Sequence, residues 1–176
     1  MKRITALFVV IAFCGLMVPG KSDGRAISIS PRVALPVGDF GDLVGTGFGG
    51  AVTMTKEVKG KPGRVGLVYL TFPEGDDNIF GFATSATAIG AFAGYKYVFG
   101  TSAFRLFGKL DTTAYVISQE PEATASGETI TADDSEFKVK ATPGIGVQTG
   151  SIAIEVDYDI AGDWMGINIY YSLGSD

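Results

Sequence analysis

The 176-residue chain predicts an all-β fold, an eight-stranded antiparallel up-and-down transmembrane β-barrel. Three observations predict it. Apolar residues recur with period two and helical periodicity is almost absent. Segments long enough to be strands follow one another across connections as short as Thr149-Gly150. Long and short connections also alternate, so that one end of a closed meander carries mostly loops and the other mostly turns.

The chain opens with Lys2 and Arg3, an apolar run from Ala6 to Val18, and then small and turn residues. That run is too short to span a bilayer as a helix and reads as a secretory signal peptide over 1–20, cleaved between Gly20 and Ala26. A barrel domain is expected over 26–176. A lipoprotein acylated at Cys14 is the competing reading, and Phe13 opposes it because that position needs a small residue. Removal of the leader takes away the single Cys, so the exported domain would fold without disulfides.

The first strand, Ile27 to Val37, alternates Ile27, Ile29, Val33 and Leu35 against Ser28, Ser30, Arg32 and Ala34. The second spans about Thr46 to Thr55 and the third Val65 to Phe72. The fourth (Thr87 to Phe99) and fifth (Ala103 to Val116) make a hairpin across Gly100-Thr101-Ser102. The sixth (Phe137 to Gln148) and seventh (Ser151 to Ile160) make another across Thr149-Gly150, and the eighth is Gly166 to Leu173. Pro31, Pro36 and Pro143 are expected at ends, bulges or non-pairing positions.

Charge sorts along the same axis. The connections after the first, third, fifth and seventh strands hold Asp39, Asp42, Glu74, Asp76, Asp77, Glu120, Glu122, Glu128, Asp133, Asp134, Glu136 and Asp163, with no Lys or Arg. The turn after the second strand holds Lys56, Lys59, Lys61 and Arg64 against Glu57. One pole is acidic and the other mildly basic.

Charge also sorts by strand face. Arg105, Lys109 and Asp111 alternate with Leu106 and Leu110; Lys138 and Lys140 alternate with Phe137 and Val139; Glu155, Asp157 and Asp159 alternate with Ile154, Val156, Tyr158 and Ile160. With Thr149-Gly150 as a two-residue turn, Lys140 is expected opposite Asp159, Thr142 opposite Asp157 and Gly144 opposite Glu155. In a narrow barrel these charges, with Arg32 and Lys96, form a lumen network and the other face meets lipid. In a soluble barrel the charged face would meet water instead, and alternation alone does not choose. Two features favour the lumen. Ala86, Ala88, Gly90 and Gly94 leave room for Arg105 and Lys109, while Tyr95, Tyr97, Phe99 and Phe104, with Tyr171 on the last strand, supply an interfacial aromatic girdle near the short turns.

A segment ValAlaLeuProValGlyAspPheGlyAsp (33–42), then GlyThrGlyPheGlyGly (45–50), together with a leader and eight alternating strands, resembles the small outer-membrane β-barrel proteins: the "outer membrane protein beta-barrel domain" group and, by architecture, OmpA/OmpX-type barrels. The likeness covers essentially the whole exported chain. It implies export to the bacterial outer membrane and a final strand ending in an aromatic residue; here Gly166, Ile169 and Tyr171 keep part of that spacing, with five residues after Tyr171.

No His is present, which removes the commonest general base and the commonest metal ligand. The enzymes that resemble this architecture rely on His, so none is expected here. Asp157 and Asp159 are two apart on one face, but charge balance with Lys138 and Lys140 accounts for them. The oxygen-rich Asp76-Asp77-Asn78 and Asp133-Asp134-Ser135-Glu136 lack the spacing of a known Ca²⁺ loop, and the glycines of 45–50 open a strand rather than the helix that a phosphate cradle needs. No cofactor or metal is expected. With net charge −5 and acidic loops, nucleic acid is not an expected partner. The expected function is a monomeric membrane anchor without a wide pore, in contact with outer-membrane lipid, whose acidic loops (Asp76, Asp77, Glu120, Glu122, Asp133, Asp134) meet the surroundings, lipopolysaccharide with divalent cations among them. The alternative is a secreted or periplasmic lipocalin-like barrel binding a small apolar ligand.

Overall fold

A computed structural model describes residues 26–58, 61–75, 82–100, 103–125, 128–131, 134–160 and 163–173. The expected leader, with Cys14, lies outside the described residues, as do Asp76, Asp77 and Asp133. The strands are β1 (Ala26–Pro36), β2 (Gly47–Val58), β3 (Lys61–Phe72), β4 (Phe82–Phe99), β5 (Arg105–Ala125), β6 (Glu128–Thr131), β7 (Asp134–Thr149), β8 (Ile152–Tyr158) and β9 (Trp164–Ser172), with one helical turn, α1 (Gly38–Gly41), after β1. Each strand pairs antiparallel with the next, β7 returns to β5, and β9 closes on β1. Eight strands therefore form the barrel wall, and β6 rides on the far end of β5.

Period two sets the two faces. On β8, Ala153, Glu155 and Asp157 are buried while Ile152, Ile154, Val156 and Tyr158 are exposed. On β9, Trp164, Gly166, Asn168 and Tyr170 are buried and Ile167, Ile169 and Tyr171 exposed. The exposed side chains include Ile29, Val52, Leu67, Ile89, Leu110 and Ile145, a continuous apolar band around the wall. A soluble barrel requires the opposite phase, with Glu155 in water and Ile154 in the core; Glu155 is 0% exposed and Ile154 53%. The lipocalin-like alternative is corrected accordingly.

Several details differ from the sequence expectation. The β7–β8 turn is Gly150-Ser151, because the pairing runs Thr149↔Ile152 and Gly144↔Asp157. Gly150 takes φ +51°, the left-handed geometry that such a hairpin turn needs. The expected register, with Gly144 opposite Glu155, is thus displaced by two residues, and since two is the side-chain period every residue keeps its face. β4 and β5 run well into the region expected as loop, pairing out to Phe82↔Ala123, so Glu120 and Glu122 lie on a strand extension, and Asp134 starts β7 opposite Gln119. Arg64, expected in a turn, sits in β3 opposite Thr55 and Gly94. Pro31 and Pro143 stand where ladders are interrupted: β1–β9 pairing skips Ser30 and Pro31, and β7–β8 pairing stops at Gly144, beside Pro143. A residue without an N–H cannot donate there.

An arginine on the lipid-facing side of a barrel costs about 2–4 kcal/mol at the bilayer midplane. Val156→Arg is expected to lose that much stability in urea titrations of the bilayer-inserted protein, whereas Ala153→Ser, inside the wall, changes it little. Equal losses at both positions would contradict the assigned faces.

Candidate functional site

The lumen is the only part of this fold where polar chemistry is concentrated among the described residues, and it is built in three layers. Small residues make it possible. A Cβ on Gly144 would stand 2.6 Å from Lys109 Cε, and one on Gly94 or Gly166 would collide with Asp111 or Asp157. Glycine at these wall positions gives the long charged side chains their space.

At mid-barrel, Arg32, Arg64 and Lys109 meet Asp111, Glu155 and Asp157. Arg32 Nη2 donates to Asp157 Oδ1 at 2.6 Å. Lys109 Nζ lies 2.6 Å from Glu155 Oε1, 2.8 Å from Asp157 Oδ2 and 3.2 Å from Asp111 Oδ2. Arg64 lies 3.4 Å from both Asp111 and Glu155, and its guanidinium is held between the rings of Phe92 and Tyr170, 5.3 and 5.4 Å from their centroids. Tyr170 Oη accepts from Arg64 Nη2 at 3.0 Å and donates to Glu155 Oε1 at 2.9 Å. Asn168 Nδ2 donates to Glu155 and Asp157 at 3.2 and 3.1 Å. Three cations balance three carboxylates, all buried.

Toward the long-loop end lies an aromatic plug. Phe40, carried by α1, packs edge-on to Phe72 at 5.1 Å and against Trp164 at 5.9 Å, and Tyr115 meets Trp164 at 5.1 Å. Gly38, at φ +59°, turns the chain so that α1 folds inward. Beside the plug, Lys140 Nζ stands 4.7 Å over Trp164 and 3.6 Å from Asp159, and it also pairs with Asp163. Lys138 reaches Glu136 at 2.9 Å and Asp163 at 3.7 Å.

At the short-turn end, Lys96 Nζ donates to Gln148 Oε1 at 2.8 Å and stacks on Phe107 at 4.0 Å. A recess lined by Arg64, Lys96, Gln148, Tyr170 and several hydroxyls opens there, with a free volume of about 30 Å³. That is room for a water or two and far from a pore.

Of the ten lumen charges expected from sequence, Arg32, Lys109, Asp111, Glu155 and Asp157 meet at mid-barrel, while Lys138, Lys140 and Asp159 belong to the plug layer. Lys96 and Arg105 stand apart at the short-turn mouth. Asp157 therefore balances Arg32 and Lys109, not Lys138 and Lys140. Sequence reasoning missed Arg64, Asn168, Tyr170, Phe40 and Trp164. Parity along β9 held the signal for Asn168 and Tyr170; Arg64 was hidden by a run of turn-like residues around it. Tyr95, Tyr97, Phe99, Phe104 and Tyr171 are all exposed on the wall toward the short-turn end. Phe48, Tyr69, Phe137 and Tyr158 are exposed toward the opposite end, a second aromatic group. Glu120 and Asp134 are exposed.

An apolar exterior between two aromatic groups, closed around an interior that is ion-paired at its middle and plugged at one end, defines an eight-stranded β-barrel of the outer-membrane type. Solved structures with this fold include Neisserial surface protein A, at 12% identity, TM-score 0.50, 87% of this chain and 97% of that one. They also include Ail, the attachment invasion locus protein of Yersinia pestis, in complex with the heparin analogue sucrose octasulfate, at 14% identity, TM-score 0.51, 86% of this chain and 97% of that one. At these identities the likeness is one of fold. No family model and no curated protein matches the sequence.

Removing one member of a buried ion pair costs about 3–5 kcal/mol, because the partner charge is left uncompensated. Asp157→Ala is expected to lose that much in urea unfolding of the folded barrel, and Arg32→Met combined with Asp157→Ala to lose less than the sum of the two single changes. Strict additivity would contradict the pairing.

Proposed function

We propose that this protein is an integral protein of the bacterial outer membrane, exported by its leader, whose barrel is a non-enzymatic, monomeric anchor that displays acidic segments at the cell surface. The observation that carries this reading is the inside-out wall: buried Glu155, Asp157 and Lys109 within, exposed Ile154, Val156 and Leu110 without. Such a surface is stable only against lipid. The lumen supports an anchor rather than a pore, since Phe40, Phe72, Tyr115 and Trp164 fill one end of it.

Orientation follows from the length asymmetry of the connections. Short turns at Gly150-Ser151 and around Gly100 mark the periplasmic end, and the long β4–β5 extension with β6 marks the outer one. The acids gathered toward that outer end, Glu120 and Asp134 among them, would meet lipopolysaccharide by sharing its divalent cations, since carboxylates are ligands for Ca²⁺ and Mg²⁺.

Fractionation of expressing cells followed by gel electrophoresis with and without boiling tests the reading. The protein is expected in the outer-membrane fraction, with a band that changes mobility only after heating, and protease added to intact cells is expected to cut between Gln119 and Asp134 but not at Gly150. A folded protein in the aqueous fraction would overturn it.

A further inference from the structure

We propose that the short-turn mouth of the lumen is a binding site for an oxyanion, the phosphate or carboxylate group of a ligand whose remainder stays outside the barrel. Charge accounting leads there. The mid-barrel carboxylates are consumed: Glu155 by Lys109, Arg64, Tyr170 and Asn168, Asp157 by Arg32, Lys109 and Asn168, and Asp111 by Arg64 and Lys109. Two further cations face the lumen nearer the mouth, Lys96 and Arg105, and among the described residues neither forms an ion pair with an acid. Lys96 is held by a neutral amide and a ring, Gln148 Oε1 at 2.8 Å and Phe107 at 4.0 Å. Arg105 stands directly across the β5–β7 ladder from that same Gln148. Gln148, which lines the recess, thus bonds one of the two cations and is the ladder partner of the other.

The rest of the recess suits the same ligand. Ser28, Thr53, Ser151 and Ser172 line it with hydroxyls, and Arg64 and Tyr170 form its floor. Hydroxyls rotate to donate, and guanidinium and ammonium groups donate only. Glu155, the one acid in the lining, is fully buried and already accepts from its own partners. The free volume of about 30 Å³ matches the oxygens of one headgroup rather than a sugar or a peptide. An oxyanion held by Lys96, with Arg105 the ladder neighbour of Gln148 beside it, would complete the neutrality that the middle layer already has, next to the Phe107 ring on which Lys96 stacks, where charge-assisted hydrogen bonds are stronger than in water. The site is defined by the lumen alone. That it faces the periplasm rests on the orientation proposed above.

The test uses the folded full-length barrel in zwitterionic detergent, titrated with inorganic phosphate at constant ionic strength against chloride and followed by calorimetry and by the amide resonances of Gln148 and Ser151. A saturable shift with phosphate and none with chloride is expected. The double variant Lys96→Gln with Arg105→Gln is expected to bind at least about tenfold more weakly, the effect of losing a charge-assisted contact, while keeping heat-dependent mobility. Because Lys96 packs on Phe107, Arg105→Gln alone serves where the double variant does not fold. Lys56→Gln, a cation at the same end on the other strand face, is the control. A second arm replaces phosphate by vesicles of phosphatidylglycerol, with phosphatidylcholine as reference, and separates a lipid headgroup from a free anion: loss of either response in the variants supports the site and names its source. Absence of both responses in the unaltered protein, or responses that survive Lys96→Gln with Arg105→Gln, would overturn it. Failure to fractionate with the outer membrane would sink the anchor reading and leave this binding result untouched.

Discussion

The structure depends on one constraint: the charges buried at the middle of an eight-stranded wall have nowhere to go but to each other. Moving an isolated carboxylate or ammonium out of water costs several kcal/mol even after relaxation. Here Lys109 touches three carboxylates within 3.2 Å, and Asp157 takes both Lys109 and Arg32. These contacts span strands far apart in sequence. Arg32 on β1, Arg64 on β3, Lys109 on β5, and Glu155 and Asp157 on β8 are brought to one level only when the sheet closes. The network is therefore a closure device, and an open or shifted sheet would leave its members unpaired.

Neutral pairing inside has a consequence outside. Once the polar halves of the strands are used up in the lumen, their apolar halves must face outward, which is tolerable only in a bilayer. The glycines follow from the same demand. Gly94, Gly144 and Gly166 are wall positions where a methyl group would strike Asp111, Lys109 or Asp157, so a high glycine content reflects the thickness of the side chains packed within. The aromatic plug completes the interior by closing the end away from the short turns, with Phe40 supplied by a loop rather than by a strand.

Much of this was legible in the sequence because it is carried by period two. The division of β5, β7 and β8 into a charged and an apolar face, and the hairpins, follow from alternation; that Lys109, Glu155 and Asp157 point inward rests in addition on the small residues of β4 and the aromatics near the short turns. What alternation could not supply was which residue meets which. The β7–β8 register came out two residues away, since Thr149-Gly150 and Gly150-Ser151 are equally good turns by composition and preserve the same faces. Arg64 looked like one more cation in a turn because Lys61, Pro62 and Gly63 precede it, while its partners lie on β5, β8 and β9. Trp164 and Phe40 lay in segments read as connections, where the periodic signal stops. The strand extensions to Phe82 and Ala123 are set by their pairing with each other, which no local pattern announces.

The central claim, a wall that is apolar outward and ion-paired inward, is tested most directly by residue-by-residue labelling of β8. Single cysteines at 153 to 158, in a Cys14→Ser background, would carry a fluorophore in vesicles containing a lipid-borne quencher. Quenching is expected at positions 154, 156 and 158 and is expected to be absent at 153, 155 and 157. The opposite phase, or uniform quenching along the strand, would contradict the account.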